Sequence, residues 1–216
     1  ECAIHRLAAP EDDLEDALER LADLIGAGAP PVLQALARPD LPSGALTAEA
    51  AAAVVGALMP EDAILVDESI NAAGFCYRHT AGAPAHDWLQ LTGGSIGIGL
   101  PLATGAAVAC PERRTVALQA DGSGMYTLQE NLNVTNIIFA NRAYQSLETE
   151  LFNVGALNPG RTALDMLDLR RPDLDWVKLA GGMGVEAARA DSVERLIELV
   201  GISFRQPGPF LIEVPC

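Results

Sequence analysis

A chain of 216 residues, half of them apolar, is long enough for one sizeable α/β core with a small appendage. Its formal net charge of −15 argues against a nucleic-acid surface or an anionic membrane as the main partner. Basic residues are scarce, so any site for an anionic ligand has to draw on backbone N–H groups and a metal.

The opening ECAIHRL reads as the interior of a longer protein. Residues 11–25, EDDLEDALERLADLI, place Leu14, Leu18, Leu21 and Ile25 at helical spacing, with acids in the first turn where they favour the helix dipole. Gly26-Ala27-Gly28 stops that helix. Residues 29–46 carry four prolines without a period and read as a linker. A new domain is expected from Thr47, the N-cap of a helix with Ala50, Val54, Val55 and Leu58 on one face. AILVDES follows as a buried strand ending in Asp67, Glu68 and Ser69. Residues 87–92 form a short strand. GGSIGIGLPLATGAAVA then begins as a glycine-rich turn able to approach a ligand and continues as a small-residue helix.

From Thr115 to Tyr144, two apolar runs end in oxygen-bearing side chains: Val116–Leu118 leads to Asp121, and Val134–Ala140 to Asn141. Read as neighbouring parallel strands, they bring both side chains to the carboxyl edge of a sheet, where such sheets bind ligands. A carboxylate and an amide carbonyl are hard oxygens suited to Mg²⁺, and the Gly122-Ser123-Gly124 turn can offer N–H groups to phosphate. Beyond Tyr144, helix and loop cover the site. Then come a helix at 175–182, a short strand within 183–190, a Ser192-capped helix over VERLIELV and a last strand, PFLIEV. The alternation predicts an α/β fold, a doubly wound, mostly parallel sheet with helices on both faces.

The remaining polar residues have plainer readings. Cys2, Cys76, Cys110 and Cys216 contain no CxxC pair and read as reduced thiols of a cytoplasmic protein. His79 and His86 have no metal-ligand company, and Trp88 and Trp176 read as core. Asp121 alone could cap a helix, and Asn141 alone could be a turn residue. No apolar run approaches the roughly 18 residues of a membrane span.

Asp121-Gly122-Ser123 followed by Asn141, together with Gly94-Ser95-Ile96-Gly97, resembles the C-terminal domain of thiamine-diphosphate-dependent enzymes. HDWLQLTGGSIGIGLPLATGAAVACPERR and FANRAYQSLETEL look most like the acetolactate synthase large-subunit group. The resemblance makes 1–28 the tail of a central domain and 47–216 the domain binding thiamine diphosphate and Mg²⁺. It implies Mg²⁺ on Asp121, Asn141 and the Ala143 carbonyl, with Asn71, Gly122 and Ser123 at the diphosphate and Tyr144 beside them. It also implies backbone contacts from Gly94 and Ile96 to the aminopyrimidine beside Ser95, with Ile96 as the wedge that bends the cofactor. The implied reaction is decarboxylation of a 2-oxo acid, pyruvate above all, with carboligation to acetolactate, as in branched-chain amino acid biosynthesis. A homodimer or homotetramer is implied, and FAD on the central domain is compatible with it. The activating glutamate of the family belongs to an N-terminal domain preceding Glu1.

Two departures qualify the match. Asp121 and Asn141 stand 20 positions apart, about seven fewer than the family pattern, which suggests either residues absent between Gln129 and Glu130 or a true deletion that would disable the site. Six positions after Asn141, where pyruvate-decarboxylase-type relatives carry a catalytic Glu, stands Leu147. That favours carboligation over release of an aldehyde. Two other classes stay open: a decarboxylase of the benzoylformate type, and a cofactor- or nucleotide-binding domain without turnover.

Overall fold

The computed structural model describes residues 3–30, 32–125, 133–156 and 158–216. Contacts divide it into two compact units, Glu1–Gln34 and Ala35–Cys216. In the first unit, helix α1 (Leu14–Leu24) starts where the Asp13 carboxylate accepts the amides of Glu15 and Asp16. Gly26, at φ +67°, follows its end. The apolar stripe is present, yet α1 buries none of its residues.

The second unit is built on six strands, all parallel: β1 (Ala63–Glu68), β2 (His86–Gln90), β3 (Thr115–Ala120), β4 (Val134–Ala140), β5 (Glu186–Arg189) and β6 (Phe210–Pro215). Their spatial order is β2-β1-β3-β4-β6-β5. The strands alternate between two helical layers, as a sheet covered on both faces requires. Leu65, Leu118, Ile137 and Ile212 pack on the side of α2 (Ala48–Leu58), α3 (Ala73–Thr80) and α9 (Val193–Arg205). On the other side Ile64, Val66 and Ala117 meet Leu100, Ala103 and Ala107 of α4 (Gly99–Ala109). Farther along that face, Ile138 and Leu211 meet Trp176 and Ala180 of α8 (Trp176–Gly182).

Thr47 caps α2 as its sequence suggests, accepting the Ala50 amide at 3.1 Å. The expected apolar stripe is too narrow, however. Residues 51–56 are all buried, while Ala50 and Leu58 are only partly so. The reason is contact on several sides: α3 approaches so closely that a Cβ on Gly56 would lie 2.1 Å from the His79 carbonyl oxygen. Helix α9 runs five residues beyond VERLIELV, through Arg205, because Ile202, Ser203 and Phe204 continue to pack on the core. Trp88 lies on the edge strand β2 and is only partly buried, edge-to-face with Tyr77 at 5.7 Å.

Among the described residues of 29–46 there is no helix or strand. Even so, Arg38 donates to the carbonyls of Ala57 and Met59 at 2.7 and 2.9 Å, which ties it to the carboxyl end of α2. β3 and β4 pair in parallel register, Thr115 with Val134 through Ala120 with Phe139. Residues 121–133, thirteen in all, separate them. The expected gap at Gln129-Glu130 lies outside the described residues. No helix among the described residues is long and apolar enough to cross a membrane.

Candidate cofactor site

In the order β2-β1-β3, the chain turns to opposite sides of β1, and a crevice opens beyond the carboxyl ends of β1 and β3. A cavity of about 800 Å³ lies there, lined from the ends of β1, β3 and β4 and from helix α6 (Gln145–Asn153). Asp121, Asn141 and Ala143 share it with Asn71, Gly122, Ser123, Ile96 and Tyr144. Two strained backbones flank the cavity: Ile70 at φ +52° after β1, and Arg142 at φ +58° after β4. Such outliers concentrate where a site dictates the backbone.

Asp121 is buried at the first position after β3. One carboxylate oxygen accepts the Gly122 amide at 2.7 Å and the other the Arg142 amide at 2.6 Å. Burial pushes its pKa up, and these backbone donors pull the other way. Each oxygen keeps a further lone pair for a cation. Asn141 closes an Asx turn, its side-chain oxygen accepting the Ala143 amide at 3.0 Å. Arg142 and Tyr144 are bracketed by backbone bonds to Leu169 and Leu167, so the intervening Ala143 is held in place. No hydrogen bond is donated to the Ala143 carbonyl among the described residues. A carboxylate, an amide oxygen and a free carbonyl on one wall form a hard-oxygen set that fits Mg²⁺.

Gly122 lies flat against Tyr144, where a Cβ would sit 2.8 Å from ring atom Cε1. The Ser123 hydroxyl is turned inward, held by the Gln119 amide and the Ala120 carbonyl. That leaves backbone, rather than the hydroxyl, facing the cavity. Ile96 is half exposed at the cavity rim. Gly94 and Ser95 precede it on the exposed turn and do not line the cavity. The Ile96 amide donates to the Gly94 carbonyl at 3.0 Å, so two backbone groups expected at the pyrimidine bond each other here. Leu147 lines the cavity, half exposed, whereas Glu148 and Glu150 do not. Asp121 is the one acid among the described lining residues.

Sequence reasoning missed Gln145. Its side-chain oxygen accepts from both Asn141, at 3.2 Å, and Asn71, at 3.4 Å, joining the ends of β4 and β1. Its spacing of four from Asn141 was the available signal. Glu68, left without a role, proves to be fully buried behind the glycine-rich turn. His86 bonds the Pro84 carbonyl, His79 meets Glu49, and Cys76, Cys110 and Cys216 are free thiols. No cluster of three or more His, Cys, Asp or Glu able to hold a metal occurs among the described residues.

The family described as thiamine pyrophosphate enzyme, C-terminal TPP binding domain, matches residues 71–214. IlvX of Mycobacterium tuberculosis, an acetolactate synthase large subunit-like protein, is 49% identical over 99% of this chain and 43% of its own length. That alignment has 221 positions against 216 residues, so at least five have no counterpart in this chain. The benzoylformate decarboxylase of Pseudomonas aeruginosa is 33% identical, covering 94% of this chain and 39% of that protein. The thiamine diphosphate-dependent 4-hydroxybenzoylformate decarboxylase of Rhodococcus jostii RHA1 superposes with a TM-score of 0.72 at 26% identity, covering 93% and 38% of the two chains. The chain thus spans about two-fifths of the length of these relatives. With its switch-point cavity and the Asp121–Asn141 pair, it belongs to the thiamine pyrophosphate enzyme family and carries that family's C-terminal TPP-binding domain.

Proposed function

We propose that the protein containing this chain catalyses thiamine-diphosphate- and Mg²⁺-dependent decarboxylation of a 2-oxo acid, pyruvate first, with carboligation to a second carbonyl. The observation that carries the reading is the cavity wall on which Asp121, Asn141 and the Ala143 carbonyl present oxygens, with no second acid among the described lining residues. Bound thiamine diphosphate supplies the carbanion chemistry at the substrate carbonyl, and the protein binds and orients it. Asp121, Asn141 and Ala143 hold Mg²⁺. The backbone at Gly122 and Ser123 and the side chain of Asn71 would hold the diphosphate. Ile96 would support the cofactor, and the Gly94 carbonyl, which accepts from the Ile96 amide in this structure, would be offered to its ring. Leu147 on the cavity wall has no proton to give, which would favour a carbonyl acceptor over protonation.

A second reading draws on two relatives named for benzoylformate-type substrates and on the apolar lining side chains Phe75, Ile96 and Leu147, which suit an aromatic 2-oxo acid. Titration of the full-length protein decides the binding claim. Thiamine diphosphate is expected to bind only with Mg²⁺, and Asp121→Ala to abolish that binding. Metal-independent binding, or an unchanged variant, overturns the proposal. Pyruvate and benzoylformate are then supplied separately. Acetolactate from pyruvate is the expected product; acetaldehyde alone from pyruvate refutes carboligation, and benzaldehyde from benzoylformate with pyruvate inert supports the second reading.

A further inference from the structure

Behind the glycine-rich turn, the carboxylate of Glu68, the last residue of β1, is fully buried and accepts three hydrogen bonds. One oxygen takes the Gly97 amide at 2.6 Å, and the other takes the Gly99 amide at 2.8 Å and the Gln119 side-chain amide at 2.7 Å. The Gly97 N–H belongs to the peptide joining Ile96 to Gly97. In a planar trans peptide, N–H and C=O point opposite ways. Holding that N–H on Glu68 therefore directs the Ile96 carbonyl away from Glu68. The turn has little stiffness of its own, since Gly93, Gly94 and Gly97 all take positive φ. Gly99 is required by proximity: a Cβ there would lie 2.6 Å from the Glu68 carboxylate and 2.5 Å from the Gln119 side-chain oxygen. The Gln119 amide also donates to the Ser123 hydroxyl, and that hydroxyl lies 3.3 Å from the Glu68 carbonyl oxygen. One buried network thus ties the Ile96 turn to the Asp121–Gly124 turn across neighbouring strands β1 and β3.

We infer that Glu68 is a positioning residue: its carboxylate fixes the Ile96–Gly97 peptide, and so sets the distance between the apolar support at Ile96 and the diphosphate turn at Asp121. The inference rests on the cofactor reading above. It separates two ligands that a general loss of structure would affect alike. Mg²⁺–pyrophosphate needs the Asp121 turn with Asn141, Ala143 and Asn71 but not the Ile96 turn, whereas thiamine diphosphate needs both turns at the right spacing.

The test is parallel titration of full-length wild type, Glu68→Gln and Gly99→Ala with each ligand. Glu68→Gln puts an amide N–H where a backbone N–H must be accepted. Gly99→Ala pushes the turn off the same carboxylate without altering the buried charge. Each variant is expected to weaken thiamine diphosphate binding by about tenfold or more, the scale of one hydrogen bond to a charged group. Binding of Mg²⁺–pyrophosphate should stay within about twofold, below the ~1.4 kcal/mol that marks a factor of ten. If Glu68→Gln does not fold, Gly99→Ala alone decides. Equal losses for both ligands, or none for either, overturn the positioning role while leaving the cofactor reading intact. Failure of wild type to bind thiamine diphosphate overturns both.

Discussion

Asp67, next to Glu68 on β1, has the opposite fate in the same interior. One of its oxygens accepts the Ser69 amide and hydroxyl at 3.0 and 2.6 Å, but the other has no partner among the described residues. Burial raises its pKa above the ordinary value of 3.8, against the pull of the Ser69 bonds. A carboxyl whose pKa is higher in the folded state favours folding fully only below its unfolded value. That contribution is lost as pH rises through the folded value. At neutral pH the charged group therefore costs stability. Asp67→Asn, which keeps the Ser69 acceptor and removes the charge, is expected to raise stability at pH 7 by on the order of 1 kcal/mol. The gain should shrink as pH falls toward 3.8 in a series of urea titrations. A variant less stable at pH 7, or a gain that does not depend on pH, would show that the charge is better satisfied than its surroundings indicate. At this scale Asp121 and Asn141 were legible in the sequence because each stands just past an apolar run, where a parallel sheet offers its ligand-binding edge. Glu68 and Gln145 were not, because their roles come from partners up to 74 residues away that only the fold brings near.

Among the elements, α2 and α9 hold one face of the sheet and differ in how they should respond to substitution. Thr47→Ala removes only the cap on the Ala50 amide and is expected to cost about 1 kcal/mol. Leu196→Ala in α9 empties a fully buried position in the largest apolar cluster and is expected to cost roughly 2–5 kcal/mol. Chemical denaturation of both variants checks the ranking, and a Thr47→Ala loss equal to that of Leu196→Ala would contradict it. The strands were readable from their apolar runs because a parallel sheet covered on both faces is apolar on both. Helix faces and ends were less readable. The stripe on α2 widened because α3 and the sheet both press on it, and α9 outran its pattern because packing, not capping, sets its end. The short β3–β4 connection was visible as a count of residues between two apolar runs.

For the whole molecule, the unit boundary at Gln34-Ala35 falls inside the proline-rich stretch, and the side chain of Arg38 is engaged just beyond it. Limited digestion with a nonspecific protease is expected to trim the chain to a core beginning near Ala35. First cuts within the sheet, read by mass spectrometry, would refute the two-unit division. The order of the sheet has a consequence for ligand release. The strand ends that line the cavity belong to β1, β3, β4 and, through Cys216, β6, each hydrogen-bonded on both sides, while the rims are β2 and β5. Fraying, the cheapest opening motion of a sheet, starts at its rims. Loss of β5 would remove no residue of the cavity wall, whereas loss of β2 would release the turn that carries Ile96. A bound cofactor should therefore escape on the timescale of its glycine turns and of α6, and its residence time should be insensitive to mutations that loosen β5 but shortened by those that loosen β2, which leads directly into the Ile96 turn.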